Sequence, residues 1–468
     1  MEIAALLLLV GAVTALKAGS GLPLLQHGAD FTISRLTMSG QTQPLTELKV
    51  SDHIVNLKRG TSRSVSSAYV QAMRKHGAAM EGGNGSVPLL AVEAGQVFLA
   101  PITVGNQEFD VVVDTGSSDP WLVTTESICA DPVSAQIIPA VDCYFGPPYD
   151  PSLSSSYTTI PNESFNITYA DGELLNGDMG YESFTLAGIT VPQQKFGIVD
   201  YAAWYGDGYS SGLLGFAYGT LTSAYAGDDP AEARRGGTLP YTPLFVNMYN
   251  QSLVAPMFSL AIDRDPENGG VLALGGIPDI PHSPYWVSTP IQGVGLFIGT
   301  NIPAYEFYTV EADGYAFSAS PSAQFNVYKN GNPRKTNLIG DGTVIIDSGT
   351  SLVYAPNAVA DGVAAAFDPP AEYNEEYDAY FVDCNARAPV FGISIGKKIF
   401  YVNEEDLIVP ASNVLCISGV QRKNDGLAIL GDVWMKNVIS VFDLGAAQMR
   451  FAARQYYGMQ RTPKAATT

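Results

Sequence analysis

One five-residue pattern occurs twice in the chain: Asp114-Thr115-Gly116-Ser117-Ser118 and Asp347-Ser348-Gly349-Thr350-Ser351. Each copy follows three β-branched apolar residues, Val111-Val112-Val113 and Val344-Ile345-Ile346, which read as a strand buried on both faces. An ionisable side chain at the end of such a strand is costly unless partners hold it. A second element repeats in the same order: Gly212-Leu213-Leu214-Gly215 in the first half, Ala428-Ile429-Leu430-Gly431 in the second. Two halves built alike are expected to form related lobes about a pseudo-twofold axis, which would bring the two Asp side chains together.

Of the 468 residues, 46% are hydrophobic and 15% charged, enough apolar surface for large cores and too little charge for a disordered chain. The Gly and Pro content, together with many Thr, Val and Tyr, favours short strands and turns, so the expected fold class is all-β. A net charge of -21 repels phosphate backbones and anionic lipid, and neither nucleic acid nor a membrane surface is an expected partner.

That charge is unevenly spread. Residues 17–75 hold eight basic and three acidic side chains, whereas the chain from residue 76 onward has a net charge of -25. Ile3 to Val13 is an apolar run of secretory-signal length, too short to span a bilayer, with Val13-Thr14-Ala15 as a cleavage site, although Glu2 stands where a positive residue is usual. The segments expected are a signal peptide over 1–15, a basic propeptide and linker over 16–85, one lobe over 92–265, a second over 266–456 and a polar tail over 457–468. Lys58-Arg59 and Arg74-Lys75 read as processing sites. The polar C-terminus lacks the apolar tail of a lipid-anchor signal, so no stable membrane anchor is expected.

Cys129, Cys143, Cys384 and Cys416 form no CxxC motif. Of the three formal pairings, 129 with 143 and 384 with 416 keeps each loop within one half. Sequons at Asn84, Asn162, Asn166 and Asn250 agree with a secretory route, extracellular or, as the alternative, vacuolar.

Two facing carboxylates repel each other, so one ionises while the other keeps its proton. Such a pair takes a proton from a water and gives one to a carbonyl oxygen, which hydrolyses an amide without metal, cofactor or covalent intermediate. Gly116 and Gly349 let backbone N–H groups approach the carboxylates, and Ser117 and Thr350 add hydroxyl donors. Competing chemistries lack parts. Of four His, only His282 lies beyond the expected propeptide and linker, and the sequence contains no HExxH, GxSxG or P-loop pattern. No metal site is expected.

Together with Trp121, the Thr242 to Met248 segment, Met257 to Ile262, Leu430-Gly431-Asp432 and Val441-Phe442-Asp443, the two motifs resemble the pepsin-like aspartic protease family over about Gln96 to Ala453. The resemblance implies a bilobal acid-protease fold and an aspartic endopeptidase. Asp114 and Asp347 would be the dyad, supported by Thr115, Gly116, Ser117, Ser348, Gly349 and Thr350. Tyr169 would be the flap tyrosine, bonded toward Trp121, with Asp171-Gly172 as the hairpin turn and Val112 and Leu213 in the main apolar subsite. Implied partners are polypeptide substrates, the chain's own propeptide and pepstatin-type inhibitors, with the protein a monomer. Three positions depart from the pattern: Asp119-Pro120 replaces the more usual Asn-Leu, Ala170 replaces a Gly, and Glu173 is acidic. Asp171 and Glu173 at the flap tip suggest tolerance for Lys or Arg at P1. The alternatives are a catalytically silent pepsin-fold binding protein, which usually has a damaged Asp motif, and a carboxylate-pair glycosidase, which explains neither repeat nor flap.

Overall fold

The computed structural model describes residues 47–61 and 96–454, apart from 133, 170–172, 205, 231–236, 265–267, 297–302, 331–341, 376, 412–414 and 425–426. The expected signal peptide, the Arg74-Lys75 pair, the Asn84 sequon, the flap-tip residues Asp171 and Gly172, and the polar tail lie outside the described residues.

The elements that build the site are strands β1 (His53–Thr61), β2 (Gln96–Val104), β3 (Gln107–Asp114), β4 (Pro120–Ala130), β5 (Thr158–Thr168), β6 (Leu174–Leu186), β7 (Ile189–Ala203) and β8 (Gly212–Gly215). They are followed by helix α1 (Leu244–Asn250) and strands β9 (Met257–Ile262) and β10 (Gly270–Leu274). The second half contributes β11 (Thr343–Ile346), β12 (Val353–Ala355), α2 (Asn357–Ala365), β13 (Ala428–Leu430), α3 (Asp432–Met435), β14 (Val438–Asp443) and β15 (Gln448–Ala453).

The repeat seen in the sequence is a repeat of topology. In the first half β3 runs parallel to β8, with Val112 opposite Leu213, Val113 opposite Leu214 and Asp114 opposite Gly215. In the second half β11 runs parallel to β13, with Ile345 opposite Ile429 and Ile346 opposite Leu430. Parallel strands with both faces covered require continuous apolar runs, which is why Val111 to Val113 and Val344 to Ile346 do not alternate with polar residues. Each run ends abruptly at its Asp, on the seam between the halves. The fold is the expected mostly-β, bilobal one.

An antiparallel sheet in the order β1-β10-β9-β14-β15 joins the lobes from beneath. Phe258 on β9 stacks on Phe442 on β14 with ring centroids 4.5 Å apart, and Tyr308 meets Phe442 edge-on at 4.6 Å, so one continuous core passes below the cleft. The expected lobe boundary near residue 265 falls in the β9–β10 hairpin, inside this shared sheet.

β1 adds to what the sequence suggested. It lies within the segment expected to be removable, yet it pairs with β10 from His53 to Leu57 and with β2 from Lys58 to Thr61. Val55 and Leu57 are buried in the common core, and the Lys58 ammonium donates to both oxygens of Asp110 at 2.9 and 2.8 Å. Charge alone therefore does not hold this segment: a hydrogen-bond ladder and apolar burial do, and Lys58-Arg59 sits inside the ladder. Its alternating Val55 and Leu57 were concealed by the surrounding basic residues.

Both disulfides take the locally closed pairing, Cys129 with Cys143 and Cys384 with Cys416. Asn162 and Asn250 are exposed. Asn166 is half-buried: its Nδ2 donates to the Pro230 carbonyl at 2.7 Å, and its Oδ1 is buried.

Candidate active site

Each Asp is held by its own loop in the same way. Gly116 N donates to Asp114 Oδ1 at 2.7 Å, and the Ser117 hydroxyl donates to Asp114 Oδ2. Gly349 N donates to Asp347 Oδ1 at 2.8 Å, and the Thr350 hydroxyl donates to Asp347 Oδ2 at 2.6 Å. A carboxylate that accepts such bonds is oriented as well as stabilised.

The residue after each Asp ties the halves together. Thr115 N donates to Ser348 Oγ at 3.2 Å, and Ser348 N donates to Thr115 Oγ1 at 2.9 Å. The two hydroxyls pass their own protons across the seam, Thr115 Oγ1 to Ile346 O at 3.2 Å and Ser348 Oγ to Val113 O at 2.9 Å. Four buried hydrogen bonds thus cross the axis, and every donor and acceptor among them is used.

The grip sets the two carboxyls side by side. A Cβ added to Gly116 would lie 2.6 Å from Asp347 Oδ1, and one added to Gly349 would lie 2.4 Å from Asp114 Oδ1. Each glycine is therefore the surface against which the opposite carboxyl rests, a close approach no side chain permits. Burial, and then the Asp347 charge, push Asp114 up to about 7 against the bonds from Ser117 and Gly116. The pair accordingly keeps a proton through the acid range.

Asp119 is pushed up too, to about 6, by burial opposed chiefly by the Tyr241 hydroxyl. Both groups bind protons more tightly folded than unfolded, from the ordinary 3.8 up to their raised values. Their contribution to stability is complete below about pH 4 and is lost as pH rises through about 6 and 7. Scanning calorimetry at constant ionic strength should give a melting temperature at pH 4 at least a few degrees above that at pH 7.5. A higher value at pH 7.5 would contradict these protonation states.

β5 and β6 pair as a hairpin, and Tyr169 N donates to Glu173 O at 2.9 Å just past their ladder. Trp121 Nε1 donates to the Tyr169 hydroxyl at 2.8 Å, the bond that the family resemblance implies. Val112 and Leu213 pack in the cluster beneath, with Trp121, Leu99 and Ile167. The structure adds Trp204, which no motif announces. Its ring meets Trp121 at 5.4 Å and Tyr169 at 5.5 Å, and stacks on Phe145 at 6.4 Å. Phe145 lies two residues beyond Cys143, so the Cys129–Cys143 disulfide anchors the outer wall of this aromatic box. Glu173 differs from expectation: it is 1% exposed, so its charge is not displayed at the flap tip, and the basis for Lys or Arg at P1 shrinks to Asp171. Among the described residues no group of His, Cys, Asp and Glu could hold a metal ion.

Residues 97–454 match the family profile of the eukaryotic aspartyl proteases. The chain is 41% identical over 442 residues to a probable aspartic-type endopeptidase of Aspergillus fumigatus, covering 90% of this chain and 92% of that one. It is 26% identical to a secreted aspartic protease of Candida albicans, over 80% of this chain and 79% of the other. Among solved structures it resembles an aspartic proteinase from Irpex lacteus, with a TM-score of 0.54 at 16% identity over 77% of this chain and 95% of that one, a likeness of fold. The chain belongs to the eukaryotic aspartyl protease family. It is an aspartic-type endopeptidase, and its substrates are polypeptides.

Proposed function

We propose that Asp114 and Asp347 are the catalytic pair and that they cleave internal peptide bonds at acid pH by activating a water held between them. The observation that carries this reading is the reciprocal grip of Thr115 and Ser348, which rests each carboxyl on the other loop's glycine. Asp114, the more buried, carries the shared proton and gives it to the scissile carbonyl oxygen, while Asp347 takes a proton from the attacking water. The O–C bond forms, a tetrahedral diol results, and its collapse breaks the C–N bond as the amine leaves protonated. Trp121 and Tyr169 position the flap and exclude bulk water. Val112, Leu213 and Trp204 favour a large apolar residue at P1.

Digestion of casein or haemoglobin at acid pH, with and without a pepstatin-type inhibitor, tests the pair. Inhibitor-sensitive cleavage that fades as pH rises through about 7 is expected, since Asp114 then loses its proton. Binding of the inhibitor with no cleavage would instead favour the silent binding protein.

Residues 16–85 act in this reading as a propeptide, and the protein is exported as a glycosylated monomer. The placement of β1 between β2 and β10 supports an intramolecular partner that must be cut beyond Thr61 and then displaced. Arg74-Lys75 suits such a cut better than Lys58-Arg59. Acid protonates carboxylates of the acidic body, weakens its pairing with the basic segment and assists the displacement. A purified proenzyme carrying Asp114→Asn, held at about pH 3, should stay unprocessed. Normal processing in isolation would show that a different protease matures it.

A further inference from the structure

The chain after the first disulfide and the chain after Trp204 are zipped together by their backbones. Gly206 N donates to Cys143 O and Gly146 N to Ser210 O, both at 2.8 Å, and Gly208 N donates to Tyr144 O at 2.6 Å. A Cβ added to Gly206 would lie 2.1 Å from Tyr144 O, and one added to Gly146 would lie 2.0 Å from Tyr209 O, so the two segments meet at a distance that only glycine allows. The zipper sets Phe145 on Trp204. Their rings are stacked, 10° from parallel with centroids 6.4 Å apart, and Phe145 also meets Trp121 edge-on at 6.3 Å. Phe145 is the half-exposed end of the stack, with both tryptophans buried behind it.

The disulfide is what returns this segment to the body of the lobe. Inside the loop it closes, Ile137 and Val141 are 73% and 74% exposed, so the loop buries little apolar surface of its own. Cys143 is joined instead to Cys129 on β4, which pairs with Ala202 of β7, two residues before Trp204. Crosslink, zipper and ring stack therefore converge on one side chain, the Trp204 indole. The bonds that hold Asp114 and Asp347 come from their own loops.

We propose that Phe145, fixed by the Cys129–Cys143 crosslink, is a positioning residue for substrate selection: by holding Trp204 in place it makes the P1 subsite select large aromatic side chains over small ones, without acting on bond cleavage. The inference rests on the P1 subsite proposed above. An aromatic side chain that packs beside Trp204 gains from a partner already held rigid. Without Phe145 the indole loses the packing on one face and is free to turn outward, and the subsite widens. A small residue at P1 does not reach the ring and feels the change less.

The test uses two peptides that differ only in carrying Phe or Ala at P1, and reads the ratio of their kcat/KM values. Phe145→Ala should lower that ratio roughly three- to tenfold, the scale of one aromatic pair, with the loss appearing in KM for the Phe peptide. Damage to the fold or to the carboxyl pair would slow both peptides alike and leave the ratio where it was. Phe145→Tyr keeps the ring and should restore the ratio. Cys129→Ala combined with Cys143→Ala should lower it as Phe145→Ala does, and adding Phe145→Ala to that pair should lower it little further, because the crosslink acts through this ring. If the cysteine variant fails to fold, the two Phe145 variants decide the matter. An unchanged ratio in folded Phe145→Ala, or a loss shared equally by both peptides, overturns the proposal. Calorimetric binding of the same peptides to protein carrying Asp114→Asn separates it from the catalytic reading. A parent that cleaves neither peptide, while the preference for binding the Phe peptide disappears with Phe145→Ala, would sink the catalytic pair and leave selection by Phe145 standing.

Discussion

Asp114→Asn is expected to leave a folded protein that no longer cleaves peptides, with kcat reduced on the order of ten-thousand-fold, the upper end of what a positioned acid and base contribute. Asn keeps the shape and can still accept from Gly116 N and the Ser117 hydroxyl, so the loop has no reason to move. What it lacks is the exchangeable proton. The variant also loses the group whose deprotonation disfavours the folded state as pH rises through about 7, so its melting temperature should depend less on pH than the parent's. Undiminished kcat, with folding checked by calorimetry, would remove Asp114 from the mechanism.

Gly349→Ala adds one methyl group and touches no titratable side chain, yet it should rank next in effect. The new carbon would lie 2.4 Å from Asp114 Oδ1, too close for that carboxyl to stay in place, and would crowd Asp347 Oδ1 at 3.3 Å. The carboxyl of Asp114 is itself bonded to Gly116 N and Ser117, so it cannot turn aside without breaking those bonds. Displacing one reacting group by a fraction of an ångström up to 1 Å costs on the order of a hundredfold in rate. Steady-state kinetics on one peptide should show the loss in kcat with KM little changed, because the subsite walls at Val112, Leu213 and Trp204 are elsewhere. A parent-like kcat would mean that the two loops are not pressed together.

The parts of the site that were legible in the sequence are those whose partners lie a few residues away. Asp114 is held by Gly116 and Ser117, and Asp347 by Gly349 and Thr350, so motif and geometry are nearly the same statement. Tyr169 could be placed because its hairpin partners follow it directly. Trp204 and Asp119 show where this reasoning stops. Trp204 becomes part of the aromatic box only because β7 runs beside β4, and nothing around it in the chain signals that contact. Asp119 could be flagged as a departure from the common Asn, but its environment is made by Ser223 and Tyr241, more than a hundred residues further on. The Asn166 sequon shows a related limit: a triplet cannot reveal that its amide nitrogen donates to the Pro230 carbonyl. β1 was obscured differently, as a short alternating strand within basic composition that makes sense only beside β10 and β2.

The four bonds between the Thr115 and Ser348 loops also bear on how the cleft can move. Separating the lobes at their base would strand several buried donors and acceptors at once, each costing about 1–3 kcal/mol. The floor therefore behaves as a rivet, and freedom accumulates with distance from it, in the hairpin above and in the outer walls of the lobes. Substrate entry and product exit should then proceed by lifting the roof and rocking the rims while the two carboxyls keep their spacing throughout the cycle.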